Sequence, residues 1–127
     1  MASRHRVRIE FRQGAGSHGV SADAALCLFR VAQEALGNAI KHSDARHVSL
    51  DLTGGPSSLT LTITDDGKGF DVDGAPNGGL GLISMRERVE SIAGVLEIQA
   101  SRSSGTCLRV NVRTRTSESV VAGLASV

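Results

Sequence analysis

Residues 33–43 read Gln-Glu-Ala-Leu-Gly-Asn-Ala-Ile-Lys-His-Ser (QEALGNAIKHS), and the reading of this stretch decides the fold. Wound as a helix, it sets Glu34, Asn38 and Lys41 at i, i+4 and i+7, one stripe carrying a carboxylate, an amide oxygen and an ammonium. Alone, such a stripe is an ordinary solvated helix face. Beside phosphates, its hard oxygens suit magnesium, which keeps several of its waters. Towards the N-terminus, Ser21 has N-cap chemistry and Asp23 falls in the first turn, where a negative charge favours the helix. Ala25, Phe29, Ala32, Leu36 and Ile40 recur at helical spacing. The pattern predicts a long amphipathic helix over residues 22–42, with these five on its apolar face.

On either side the period changes from helical to two-residue. Arg6 to Phe11 alternates and predicts a short strand, followed by a turn-rich stretch from Gln13 to Gly19. His47 to Leu52 and Leu59 to Thr64 predict a hairpin across Thr53-Gly54-Gly55-Pro56-Ser57. Residues 65–79 form a glycine-rich loop. A second helix is expected over about residues 80–92, with Leu82, Met85, Val89 and Ile92 on one face and Gly94 ending it. Val95 to Ala100, with Leu96 and Ile98 inward, and Thr106 to Val112, with Leu108 and Val110 inward, predict two last strands. Residues 1–115 are expected to form the domain and residues 116–127 a weakly patterned tail. The predicted fold class is α+β: a two-layer sandwich, with a mixed or antiparallel sheet, helices on one face and polar residues on the other.

Composition narrows the function. The chain has 127 residues, 40% hydrophobic and 21% charged, a length suited to one core. Fourteen basic residues against thirteen acidic ones leave a formal net charge of +1. No broad basic field draws the protein to nucleic acid. Three Phe, no Trp and no Tyr offer no stacking platform for bases of a single strand. Cys27 and Cys107 lack zinc-like spacing and read as free thiols of a reducing cytoplasm. His5, His18, His42 and His47 are too scattered for a metal site. No membrane span or signal peptide is evident, so a cytoplasmic domain is expected.

Two further segments carry chemistry. Asp65-Asp66-Gly67-Lys68-Gly69-Phe70 (DDGKGF) follows a strand directly. A strand-end carboxylate can accept a hydrogen bond from an amino group, and the glycines let a flat ring approach the backbone. No glutamate closes the loop, which disfavours an EF-hand. Gly78-Gly79-Leu80-Gly81-Leu82 (GGLGL) opens the second helix, whose free amides suit phosphate oxygens. The P-loop pattern is absent. A dinucleotide fingerprint would need a strand immediately before these glycines.

In this order the three segments resemble the motifs of the GHKL (Bergerat-fold) ATPases. QEALGNAIKHS looks like their N box, DDGKGF like the G1 box and GGLGL like the G2 box, with Ser104-Gly105-Thr106 similar to the later Gly-Thr element. The start of the N box and the run GLGLISMRERVESIAG resemble the catalytic domains of sensor histidine kinases that signal to NarL/LuxR-type response regulators. The resemblance implies that ATP and Mg²⁺ are bound. It casts Asn38 as the magnesium ligand, Asp65 as acceptor for the adenine amino group, and Gly67 and Gly69 as lining of the adenine pocket. Gly79, Gly81 and Leu82 would give amides to the phosphates, and Thr106 would join the adenine-side polar network. Lys41 and His42 match basic positions near the phosphates. Glu34 matches the general base of the hydrolysing members and here would orient the magnesium shell. The loop 70–79 would be a lid.

The implied reaction is γ-phosphoryl transfer to a histidine on a dimerisation domain outside this chain. The full-length protein would then be a homodimer, free or membrane-anchored, that passes phosphate on to a response regulator. None of the four histidines has an acceptor context, so this chain alone is expected to bind ATP without autophosphorylating. The other readings are a stand-alone anti-sigma-type serine kinase that phosphorylates a protein partner, and a degenerate member that binds partners without nucleotide.

Overall fold

The protein is described from a computed structural model, which covers residues 7–14, 20–41, 44–68, 81–101 and 105–114. Strand β1 (Arg8–Gln13) leads into helix α1 (Ala22–Lys41), and β2 (His47–Gly54) and β3 (Ser58–Asp65) follow as a hairpin. Helix α2 (Leu82–Glu90) and the hairpin of β4 (Val95–Ser101) and β5 (Gly105–Arg113) complete the order. The five strands form one sheet in the order β1-β2-β3-β5-β4. β1 runs parallel to β2, and every other pair is antiparallel. A parallel pair needs a crossover, and α1 supplies it. The mixed α+β sandwich expected from the pattern is the observed fold.

One face of the sheet carries the core. Val48 and Leu50 of β2, Leu59, Leu61 and Ile63 of β3, Leu96 of β4 and Leu108, Val110 and Val112 of β5 are buried there. Above them lie Ala24, Cys27, Leu28, Val31, Ala35 and Ala39 of α1, with Met85 and Val89 of α2. The alternate residues face solvent and pair across strands. Arg12 meets Asp51 at 2.9 Å, Arg109 meets Glu97 at 3.7 Å, His47 pairs with Glu10, and the Asn111 amide donates to the Thr60 hydroxyl at 2.8 Å. Exposed pairs of this kind add little stability, but they keep this face wetted. Cys27 is buried, Cys107 half-buried, and both are free, as expected. No helix among the described residues is long and apolar enough to cross a membrane.

Helix α1 starts where its cap was expected, with the Ser21 hydroxyl accepting from the Ala24 amide at 3.1 Å. Its buried face is not the expected one. Ala25 and Phe29 are exposed, Phe29 to 59%, and Ala32, Leu36 and Ile40 are half-buried. The helix has two adjacent apolar stripes, and the sheet takes the one rich in alanine. Small side chains there let the helix lie close to the strands.

The end of α2 also differs from expectation. Gly94 donates to the Val89 carbonyl at 2.9 Å and Ala93 to the Glu90 carbonyl at 3.0 Å, the two bonds of a Schellman closure. The left-handed residue is Ala93, at φ 58°, and not the glycine. Gly94 is required for a different reason: a Cβ there would stand 3.0 Å from the Asn111 carbonyl oxygen and the Val89 Cγ1. A Cβ in the left-handed region costs about 1–2 kcal/mol, part of which is offset by the extra unfolded-state freedom of glycine. Ala93→Gly should therefore stabilise the domain by about 0.5–1 kcal/mol in a denaturant titration. A loss of stability would refute this account of the helix end.

Candidate functional site

The site lies where β3 ends, β5 begins and α2 starts, beneath the second half of α1. Asp65 and Thr106 are register partners on the central strands. The pairing follows from local chemistry. Asp66 turns away from the sheet face and accepts at 2.9 Å from the amides of both Arg46 and His47, anchoring the end of β3 to the start of β2. These two amides hold the Asp66 carboxyl below the ordinary aspartate range. Asp65 faces inward with Leu59, Leu61 and Ile63, at the alternate positions of β3.

The Asp65 carboxylate is buried and accepts from the Gly67 amide at 2.9 Å. Burial pushes its pKa above the ordinary aspartate range, and the charge of Asp66 adds to the rise; the amides of Gly67 and Thr106 pull the other way. Close by, the Thr106 hydroxyl is buried without a hydrogen-bond partner among the described residues. Both groups line a narrow slot with Ala35, Asn38, Ile63 and Leu82, closed off by Ile98 and Leu108. A largely apolar slot carrying a carboxylate and an unsatisfied hydroxyl has the chemistry to recognise a heterocycle bearing an exocyclic amino group.

Asn38 and Leu82, the first residue of α2, line the same slot. The first residue before that helix, Gly81, is left-handed at φ 73°, and no side chain caps the amides that follow it. A Cβ on Gly81 would come within 2.8–2.9 Å of the Glu34 carboxylate, so α1 and α2 pack here as closely as the backbone allows. Helix amides and an amide oxygen on adjoining elements suit phosphate and a hydrated magnesium ion together. Among the described residues no three His, Cys, Asp or Glu side chains cluster as a metal site.

Of the expected site residues, Asn38, Asp65, Leu82 and Thr106 share the slot, with Gly67 bonded to Asp65 and Gly81 next to Leu82. Glu34 and Lys41 line a groove on the outer side of the same helix crossing. His42, Gly69, Gly79 and the lid expected over 70–79 lie outside the described residues. Two residues that the motifs include without a role of their own also support the site. Asp66 is hidden in the sequence as the second of two identical acids. Gly105, at φ 81°, stands so close to β3 that a Cβ would lie 2.3 Å from the Asp65 carbonyl oxygen. A glycine opening a strand opposite a site residue, as in the Gly-Thr element, is the sequence signal of such a close approach.

Residues 23–116 match the family described as histidine kinase-, DNA gyrase B-, and HSP90-like ATPases. Over 93 residues the chain is 38% identical to the signal transduction histidine-protein kinase/phosphatase DegS of Brevibacillus brevis, covering 73% of this chain and 24% of that protein. It is 42% identical over 85 residues to the sensor histidine kinase LiaS of Bacillus subtilis (strain 168), covering 67% of this chain and 24% of the relative. The chain thus spans about a quarter of the length of these relatives. Its fold superposes on the Acinetobacter baumannii histidine kinase AdeS with a TM-score of 0.71 at 19% identity, covering 90% of this chain and 57% of that one.

Proposed function

The chain belongs to the histidine kinase-, DNA gyrase B- and HSP90-like ATPases, and from that premise we propose that it is the ATP-binding catalytic domain of a two-component sensor histidine kinase. It would deliver the γ-phosphoryl group to a histidine on a dimerisation domain elsewhere in a homodimeric protein, and a response regulator would receive the phosphate. The domain proper is residues 1–115 and the tail 116–127.

The observation that carries the reading is the pairing of a buried carboxylate, Asp65, with an unsatisfied hydroxyl, Thr106, inside an apolar slot. Asp65 would accept from the adenine amino group, and Gly67 and the Thr106 amide fix the carboxylate for that task. The backbone at Gly81 and Leu82 would offer amides to the phosphates without an intervening Cβ. Glu34 would orient water around the metal, and Lys41 would neutralise charge near the leaving phosphate. Magnesium at Asn38 would supply charge stabilisation to the transferring group. These relatives are all named histidine kinases, and nothing in the site favours the serine-kinase alternative.

Titration with a non-hydrolysable ATP analogue tests the assignment. One binding site is expected, tightened by magnesium. Asn38→Ala should abolish most of that tightening, about tenfold for one lost ligand to a charged centre, while Mg-free affinity stays within threefold. Equal losses with and without magnesium would remove Asn38 as the metal ligand.

A further inference from the structure

The helices do not cover the core face of the sheet to its edge. Helix α1 packs mainly on β3 and β5, and α2 on β4. Strand β1 forms the opposite edge, and its residues are exposed throughout. Two of them nonetheless belong to the core face. Ile9 and Phe11 are register partners of Val48 and Leu50, so the pleat sets all four on the side that the helices cover. Val48 and Leu50 are buried, whereas Ile9 is 50% exposed and Phe11 59%.

Helix α1 leaves a matching flank open. Arg30, Glu34 and Lys41 line a groove that Arg88 of α2 borders from the other side. At about 100° per residue, Phe29, Ala32 and Leu36 fall on the opposite flank of α1, towards β2 and β1. Phe29 is exposed, and Ala32 and Leu36 are half-buried. Ile9 and Phe11 on the sheet, with Phe29 and Leu36 on the helix, thus outline an apolar trough along the β1 edge. Among the described residues no third helix fills it. An apolar surface of this kind on a small domain marks a place of contact.

The chain itself holds a segment that fits. Strand β5 ends at Arg113, and the Thr114 amide donates to the Ser57 carbonyl at 3.1 Å. The chain therefore leaves the sheet beside the β2–β3 turn. Strand β1 finishes at that same end, since it runs parallel to β2 and β5 runs antiparallel to β3. From β5 to β1 is three strand spacings, about 14 Å. Residues 115–119, extended, reach about 17 Å. Beyond them Val120, Val121, Leu124 and Val127 recur at i, i+1, i+4 and i+7, one face of a helix. Eight helical residues measure about 12 Å, close to the ~10 Å along α1 from Phe29 to Leu36. So short a helix is not stable alone in water and needs an apolar surface to form on.

We infer that residues 120–127 dock as a two-turn helix in the trough between α1 and β1, their apolar face against Ile9, Phe11, Phe29 and Leu36. Docking there extends the helical layer over the last strand of the sheet. The segment is tethered at the end of the trough, so its effective concentration there exceeds that of a second copy in dilute solution.

Hydrogen exchange of the 127-residue chain, read by mass spectrometry, tests the docking. Amides of residues 121–127 should exchange at least tenfold more slowly than in a free peptide of the same sequence. Phe11→Asp and Phe29→Asp should each remove most of that protection, and so should Leu124→Asp. Phe11 and Phe29 are already exposed, so exchange in β3 and β5 should stay within twofold. Val95→Asp, at an exposed site on the opposite edge of the sheet, is the control and should leave the segment protected. Exchange at the free-peptide rate in the unaltered protein overturns the docking. Protection that survives Phe11→Asp and Phe29→Asp combined also overturns it, by placing the segment elsewhere. Two other occupants would show themselves in the same variants. Protection lost over residues 1–6 in place of 121–127 gives the trough to that segment, and a dimer dissolved by both substitutions gives it to a second copy. Either result overturns the assignment.

Discussion

Changing Asp65 to asparagine is expected to lower ATP affinity about ten- to a hundredfold while leaving the domain at least as stable as before. The loss follows from removing an ionised acceptor, since hydrogen bonds to charged groups contribute about 1.5–3 kcal/mol. The stability follows from burial. Desolvation raises the Asp65 carboxyl above the ordinary aspartate range, so folding favours its protonated form. The sign is then fixed: Asp65 contributes most to stability below the unfolded aspartate pKa, and that contribution is lost as pH rises through the raised folded value. At neutral pH the buried charge is a cost, and asparagine removes it while still accepting from Gly67.

The same shift sets a pH dependence for binding. As pH falls through the raised pKa, a proton occupies the acceptor, so affinity should decline while ordinary aspartates are still ionised. Asp66 behaves oppositely: its depressed pKa gives stability above the unfolded value that is lost as pH falls through the folded one. Calorimetric titrations from neutral to mildly acid pH, with thermal melts of both proteins, separate these effects. Unchanged affinity in Asp65→Asn would remove the adenine assignment. A matched loss of affinity and stability would make Asp65 a structural residue.

Most of this site was legible because its parts lie in short, regular elements. Asn38 and Glu34 share a helix stripe that spacing alone reveals, and Asp65 ends a strand whose alternation is unbroken from Leu59. What spacing could not reveal was a choice between neighbours. Helix α1 has two apolar stripes. The sheet buries the one with Ala24, Ala35 and Ala39, because close approach matters more there than side-chain bulk, and Phe29 is left outside. Asp66 repeats the side chain of Asp65; the alternation from Leu59 turns Asp65 inward, and the amides of Arg46 and His47, brought close by a partner strand, bind Asp66. The groove of Arg30 and Arg88 joins two helices far apart in the chain, which no local pattern encodes. Ala93 takes the left-handed position at a helix end that glycine usually fills, so Gly94 beside it is the misleading signal.

Gly105→Ala is expected to be the most damaging single substitution, costing at least about 3 kcal/mol of the 5–15 kcal/mol that holds such a domain folded. Two penalties combine. At φ 81° the backbone is in a region that charges any Cβ about 1–2 kcal/mol. The new methyl would also stand 2.3 Å from the Asp65 carbonyl oxygen and 3.3 Å from its carbon. That oxygen cannot yield cheaply, because β3 is held between β2 and β5. Moving it would part Asp65 from Thr106, the two polar groups of the slot, so nucleotide binding should fail together with stability. Gly37→Ala is the control, since its methyl meets nothing within 4 Å and a mid-helix alanine is favoured by about 1 kcal/mol. Denaturant unfolding of the two variants beside the unaltered protein decides the matter. A Gly105→Ala protein within 1 kcal/mol of the original, with its ATP affinity intact, would show that the two strands do not meet this closely and that Gly105 does not hold the site together.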